Sequence, residues 1–262
     1  MGSHEDFGPA QGEKLARGIV HFKWPWNAEF ASKVVSTDSP EAKSPIDLSA
    51  GLTVRLLSPT DAALVEMLPV WDAELKKAHI RTFDPDVGDD PLVPDFEPFG
   101  GAPDVETLAA SRFQADTTEP NATSIAFLAE CDGQRVLLTG DAHSDILEAA
   151  IAPLAAAEGG RLRVDLYKMG HHGSQRNTSK GLLKMLDCTR FAISTDGTRH
   201  GHPDPETIAR VLSNDPERSK TLYFNYRKPM TDQWDNRQLK NKWKYETVFP
   251  STESNGTLEI DV

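Results

Sequence analysis

The chain has 262 residues, with 28 Lys and Arg against 40 Asp and Glu and a formal net charge of −12. That balance argues against a surface built to hold many phosphates without sequence preference, because such binding is carried by Lys and Arg. No run approaches the roughly 18 apolar residues of a membrane span, no leader-type segment opens the chain, and Cys131 and Cys188 lack the spacing of a disulfide framework or thiolate zinc finger. The expected setting is reducing and cytoplasmic, with no membrane contact.

Residues 1–6 read as a tag or start remnant. In the part at 7–83, "AQGEKLARGI" has helical spacing, and the aromatic "FKWPWNAEF" after it holds Pro25, which bars a regular helix interior. Residues 36–49 read as a loop or hairpin connection, "LTVRLLSP" as a strand, and 60–80 as a helix capped by Thr60 or Asp61, with Pro69 kinking or dividing it. The acidic, Pro- and Gly-rich stretch at 84–104 reads as an insertion or loop.

The part at 105–262 is patterned more sharply. "SIAFLAECDGQRVLLTGD" reads as two strands joined at Asp132-Gly133, and a helix is predicted over about 143–158. "RLRVDLYKM" is the next predicted strand, "TSKGLLKMLD" a capped helix, "RFAIST" a strand, "DPETIARVLSN" a helix and "KTLYFNYR" a late strand; the tail from 231 is undecided. Strand, loop and helix in this alternation predict a layered α/β domain.

In such domains chemistry gathers where loops leave strand ends. One exit carries Asp141 of "TGD", a second His171, His172 and Ser174 of "HHGS", and a third leads through Asp196 to His200 and His202. A carboxylate and neutral imidazoles from several loops suit Zn²⁺, with Mn²⁺ or Fe²⁺ as alternatives. Asp141 can bridge two such ions, one member of the double histidine can bind metal, and its neighbour can donate to developing negative charge.

Each residue also has an ordinary role. Asp141 fits an N-cap, His202-Pro203 a helix start, and Asn121 and Ser124 turn or capping positions. Asp196-Gly197 fits a turn, and His143 and Lys168 fit solvated positions, with His21 and His79 structural. "NAT" at 121–123 matches a glycosylation acceptor, which is irrelevant without a leader.

In their order and spacing, "NATSIAFLAECDGQRVLLTGDA", "KMGHHGSQRNTS" and "HGHPDPETI" resemble the carboxyl-terminal half of metallo-β-lactamase-fold hydrolases of the ComEC-like branch, and the likeness extends in outline over residues 7–250. The resemblance implies an αββα sandwich with one or two metal ions at one edge. It makes Asp141 and His171 metal ligands, His172 a contact to the scissile phosphate with His202 assisting, and Asn121, Ser124 and Ser174 supports. The family's H-x-H-x-D-H signature, or its H-x-D-x-D-H variant, is missing; "SHEDFG" at 3–8 has one histidine at the wrong spacing.

The expected sandwich is therefore incomplete at its N-terminal side. Three explanations fit: a partner chain completes the fold, the chain is a fragment, or it is a degenerate relative serving as an interaction module. The expected activity is metal-dependent hydrolysis of phosphodiester or related ester bonds, with nucleic acid as one substrate class by family analogy. The alternative is a noncatalytic subunit.

Overall fold

The computed structural model describes residues 9–31, 33–77, 102–198, 200–251, 254 and 256–262. The predicted tag, His79 and the insertion over 84–101 lie outside the described residues. Helix α1 (Pro9–Phe22) contains the predicted segment and ends before Pro25. Two 3-10 turns (Ala28–Phe30 and Pro40–Lys43) and the short strand β1 (Ile46–Asp47) occupy much of the connection. Strand β2 (Thr53–Ser58) leads to α2 (Asp61–Lys77), whose start is capped by the Thr60 hydroxyl accepting from Ala63 N at 3.2 Å. Helix α2 runs through Pro69 as one element, so the predicted division in two does not occur.

Two short helices follow, α3 (Val105–Ala110), capped by Asp104, and α4 (Glu119–Ala122). Strands β3 (Ala126–Cys131) and β4 (Gln134–Leu138) form the predicted hairpin. Asp132 and Gly133 take φ values of 50° and 77° at its turn, the left-handed conformations that Asp-Gly tolerates. Helix α5 (Ser144–Ala157) comes next, then β5 (Leu162–Arg163), β6 (Leu166–Lys168), α6 (Lys180–Lys184), β7 (Leu186–Asp187) and β8 (Arg190–Ile193). The chain closes with α7 (Pro205–Ser213), β9 (Lys220–Phe224), α8 (Pro229–Asp232), α9 (Arg237–Trp243) and β10 (Tyr245–Val248).

Among the described residues, eight strands form one mixed sheet in the order β1-β2-β3-β4-β6-β8-β9-β10. Its β1 to β4 part is antiparallel, and the part from β4 to β10 is parallel. The single strand predicted over 161–169 is two strands: β6 joins the main sheet while β5 pairs with β7 in a separate two-stranded sheet. The architecture is layered α/β. The double sheet of the expected αββα sandwich is not formed by the described residues, which supply one principal sheet.

The register separates two faces. Leu128, Leu137, Tyr167, Phe191 and Leu222 lie in one row across five strands and are buried. Helices α5, α6 and α7 are the crossovers of successive parallel strands advancing in one direction, so right-handed connection puts all three on one face. The opposite face carries the rows Val54, Ala129, Val136 and Leu166, and Leu56, Phe127, Leu138, Lys168, Ala192 and Tyr223. It is mostly apolar, and most of these side chains are only half-buried. At its β8–β9 side Arg190 stacks on Tyr223 and donates to the carbonyl of Asp261 in the tail.

Neighbouring residues on β4 therefore sit in different environments. Leu137→Ala is expected to cost about 2–5 kcal/mol by leaving a cavity under α5, whereas Val136→Ala on the half-buried face costs about 1 kcal/mol or less. Urea unfolding of the two variants checks this, and equal losses would contradict the assignment of faces.

Candidate functional site

Three loops leave the same end of the parallel strands and are fastened to one another by the backbone. After β4, Thr139-Gly140-Asp141 lies beside the turn after β6, where His171 N donates to Gly140 O at 2.9 Å. That second turn meets the loop after β8, where Asp204 N donates to Gly173 O at 3.1 Å and Gln175 N to Asp204 Oδ2 at 2.7 Å. Two glycines make these approaches possible. A Cβ at Gly170 would stand 2.8 Å from Thr139 Oγ1, and one at Gly173 would stand 2.8 Å from the Pro203 side chain.

The turn itself is left-handed over three residues, with φ of 44° at His171, 55° at His172 and 88° at Gly173. Only the last is free of a Cβ penalty. Ser174 shapes the exit from the turn: its N donates to His171 O at 2.9 Å and its buried hydroxyl accepts from Arg176 N at 3.2 Å.

The loops bring the imidazoles together. Ring centroids are 6.5 Å apart for His171 and His172, 5.5 Å for His171 and His202, and 5.9 Å for His200 and His202. Three of these rings are anchored through Nδ1 to an acceptor: Asn177 Oδ1 at 3.1 Å for His171, Ser194 O at 2.5 Å for His172, and Asp204 Oδ1 at 3.2 Å for His202. An acceptor at Nδ1 places the proton there and leaves Nε2 with its lone pair. This is the arrangement in which metal-ligating histidines are held.

Asp141 is not the cap of α5, for that position belongs to His143. Its backbone is fixed from two sides instead. Asp141 N donates to Ser124 Oγ at 3.2 Å, and its carbonyl accepts from Asn177 Nδ2 at 2.9 Å. The supporting position of Ser124 is thus in place. Likewise, His202 lies ahead of the α7 cap, which is Asp204. Asp196 keeps its turn role, accepting from Thr198 N at 3.0 Å.

Lys168 departs from the solvated position expected of it. Its Nζ donates to Met169 O at 3.0 Å, and burial pushes the ammonium pKa down while Asp141 opposes that shift. His143 also departs: its side chain is only 12% exposed, with Nε2 2.9 Å from Thr118 O and 3.8 Å from Asp116 Oδ1.

Asp116 and Asn177 were not legible as site residues. The Asp116 side chain is 3% exposed and accepts from Thr118 N, the Thr118 hydroxyl, Asn121 Nδ2 and Asn177 Nδ2 at 2.7–3.1 Å. Burial alone would raise its pKa. The donors, led by Asn121, outweigh burial and hold the carboxyl far below the ordinary aspartate range. Its Oδ2 is also 3.6 Å from His171 Nδ1, and among the described residues no Lys or Arg pairs with it. The one local hint was the spacing of "DTTEPN", with Thr at the Asx-turn position and Asn five residues on.

Among the described residues, no group of three or more His, Cys, Asp or Glu side chains is placed to hold a metal ion. The donor types are those zinc takes, and their number at any one point is too small. No family model, curated protein or solved structure matches this chain.

Two measurements follow. Gly173→Ala needs a Cβ at positive φ and against Pro203, so it is expected to lose about 2 kcal/mol in urea unfolding. Asp116→Asn tests the carboxylate: an aspartate with a depressed folded pKa stabilises above its unfolded value and loses that contribution as pH falls toward the folded one. The variant is therefore expected to be less stable by about 2 kcal/mol near pH 7, with the gap shrinking once pH drops below about 4; a gap independent of pH would contradict the ionised state.

Proposed function

We propose that the chain is the metal-site half of a metallo-β-lactamase-type hydrolase, completed by a partner chain and acting on phosphodiester or related ester bonds. The observation that carries this reading is the set of three imidazoles at one sheet end, each anchored at Nδ1 and offering Nε2, beside the Asp141 loop. His171 and Asp141 are the residues that would hold zinc, with manganese or iron as alternatives. The bound ion supplies the polarisation that makes water a nucleophile at neutral pH.

His172 and His202 then face the substrate. His172 belongs to the His171 turn and His202 to the loop stitched to it, and an imidazole fixed at Nδ1 has Nε2 for proton exchange at a phosphoryl oxygen or leaving group. Asn121, Ser124 and Ser174 hold backbone and rings in place.

Two features support the partner. The described residues lack a set of three ligands for one ion, and the sheet keeps an apolar, half-buried face opposite α5 to α7, suited to a second sheet packed at about 10 Å. Among the described residues no helix is long and apolar enough to cross a membrane. Nucleic acid is one possible substrate class by family analogy; the net charge of −12 favours small phosphodiesters.

The same face supports a second reading, a noncatalytic subunit that uses the sheet for association alone. Metal analysis and turnover of a chromogenic phosphodiester separate the two, on the isolated chain and on the chain with its co-purifying partner. The hydrolase reading expects zinc and turnover in the assembly, both lost in Asp141→Ala. A stable assembly without metal or turnover under zinc, manganese or iron loading would sink it in favour of the association reading.

A further inference from the structure

We infer that Asp116 is a positioning residue for His171: its carboxylate sets the orientation of the Asn177 side-chain amide, and that amide sets the tautomer of the His171 ring. The use of that tautomer rests on the hydrolase reading above, while the relay itself rests on hydrogen bonding alone.

The order of the relay follows from which atoms can only accept. Asn177 is fully buried, and its Nδ2 donates to Asp116 Oδ2 at 3.1 Å and to Asp141 O at 2.9 Å. An ionised carboxylate and a backbone carbonyl offer no proton, so the amide cannot turn over without facing oxygen to oxygen twice. Its Oδ1 is thereby aimed at His171 Nδ1, 3.1 Å away. An amide oxygen accepts and does not donate, so a neutral His171 ring carries its proton on Nδ1 and presents Nε2 bare.

Asn121 Nδ2 donates to the same Asp116 Oδ2 at 2.7 Å and lies 3.4 Å from His171 Nδ1, farther from the ring than Asn177 Oδ1. One oxygen atom thus orients two amides. The carboxylate pairs with no Lys or Arg among the described residues; the His143 and His171 rings stand 3.8 and 3.6 Å from it.

Replacing Asp116 by Asn keeps the shape and breaks the logic. The new amide has one acceptor oxygen and one donor nitrogen in place of two acceptors, and it must meet two donating amides and the Thr118 donors. In the orientation that sets the new nitrogen against the two amides, Asn177 turns over, offers N–H to His171 Nδ1 and drives the proton to Nε2.

The test uses the full chain without metal, with isotope-labelled histidine and long-range proton–nitrogen spectra at about pH 8, above the ordinary histidine pKa of about 6.5. Wild type is expected to show His171 with Nδ1 protonated and Nε2 bare. In Asp116→Asn the Nε2-protonated form becomes at least an equal species, while His172 and His202, anchored on Ser194 and Asp204, are unchanged. An unaltered His171 tautomer in folded Asp116→Asn overturns the inference, as does a change at all three rings together. If Asp116→Asn does not fold, Asn177→Ala breaks the same relay nearer the ring, and an unaltered tautomer there overturns it equally. Zinc titration of the assembly keeps the two readings apart. The relay predicts weakening of about 10–100-fold in Asp116→Asn, whereas a wild-type assembly that takes no zinc removes the hydrolase reading and leaves the tautomer result standing.

Discussion

The backbone between Met169 and Ser174 must turn through three consecutive left-handed residues, two of them histidines. A Cβ in that region costs about 1–2 kcal/mol per residue, so the turn persists only because its surroundings determine it. They do so by hydrogen bonds at both ends, His171 N to Gly140 O and Asp204 N to Gly173 O, and by two glycine seats against Thr139 and Pro203. The same bonds that hold the strained turn pull the loops after β4 and β8 against it. Strain and site assembly are one event here: without the turn, the loops that carry Asp141, His171 and His202 have no hydrogen bonds to hold them against one another.

The parts of the fold legible in the sequence are those whose signal is local. The β3–β4 hairpin shows in the alternation of "AFLAEC" and "QRVLL" around Asp132-Gly133, and α6 shows in Ser179, whose hydroxyl accepts from Leu182 N at 2.9 Å. Strands β5 and β7 have two residues each and therefore no period to read. What places them is a set of backbone bonds across the chain, Leu162 N to Met185 O at 2.8 Å and Val164 N to Asp187 O at 3.1 Å. For the same reason "RLRVDLYKM" looked like one strand when its halves belong to different sheets. Pro69 misled in the other direction, for α2 continues through it as one helix, which also contacts α1 and α4.

The candidate site divides along the same line. Asp141, His171 and His202 sit next to recognisable strand exits, and the chain order of those exits survives folding. Asp116 and Asn177 are 61 residues apart in sequence and meet through a side-chain hydrogen bond that no spacing rule anticipates. His143 was misread for a related cause: a histidine at a helix start is commonly solvated, and its burial here depends on the Asp116–Thr118 turn arriving from another segment. Long-range polar contacts of this kind carry no periodicity, so the residues that orient a site are harder to read than those that would touch a ligand.

Charge limits what the assembled site can favour. Asp116 is buried, ionised and satisfied by neutral donors, while Lys168, whose burial disfavours its charged form, stands near Asp141. The local potential at the His171 side is therefore set by a fixed anion that neutral hydrogen bonds stabilise without cancelling. Such a pocket favours a bound cation, and it opposes a bare phosphate unless a cation comes with it. On the proposed reading, metal and substrate are thus coupled by electrostatics: the ion must be held before an anionic ester can approach, and a sheet packed on the open face must contribute ligands as well as cover.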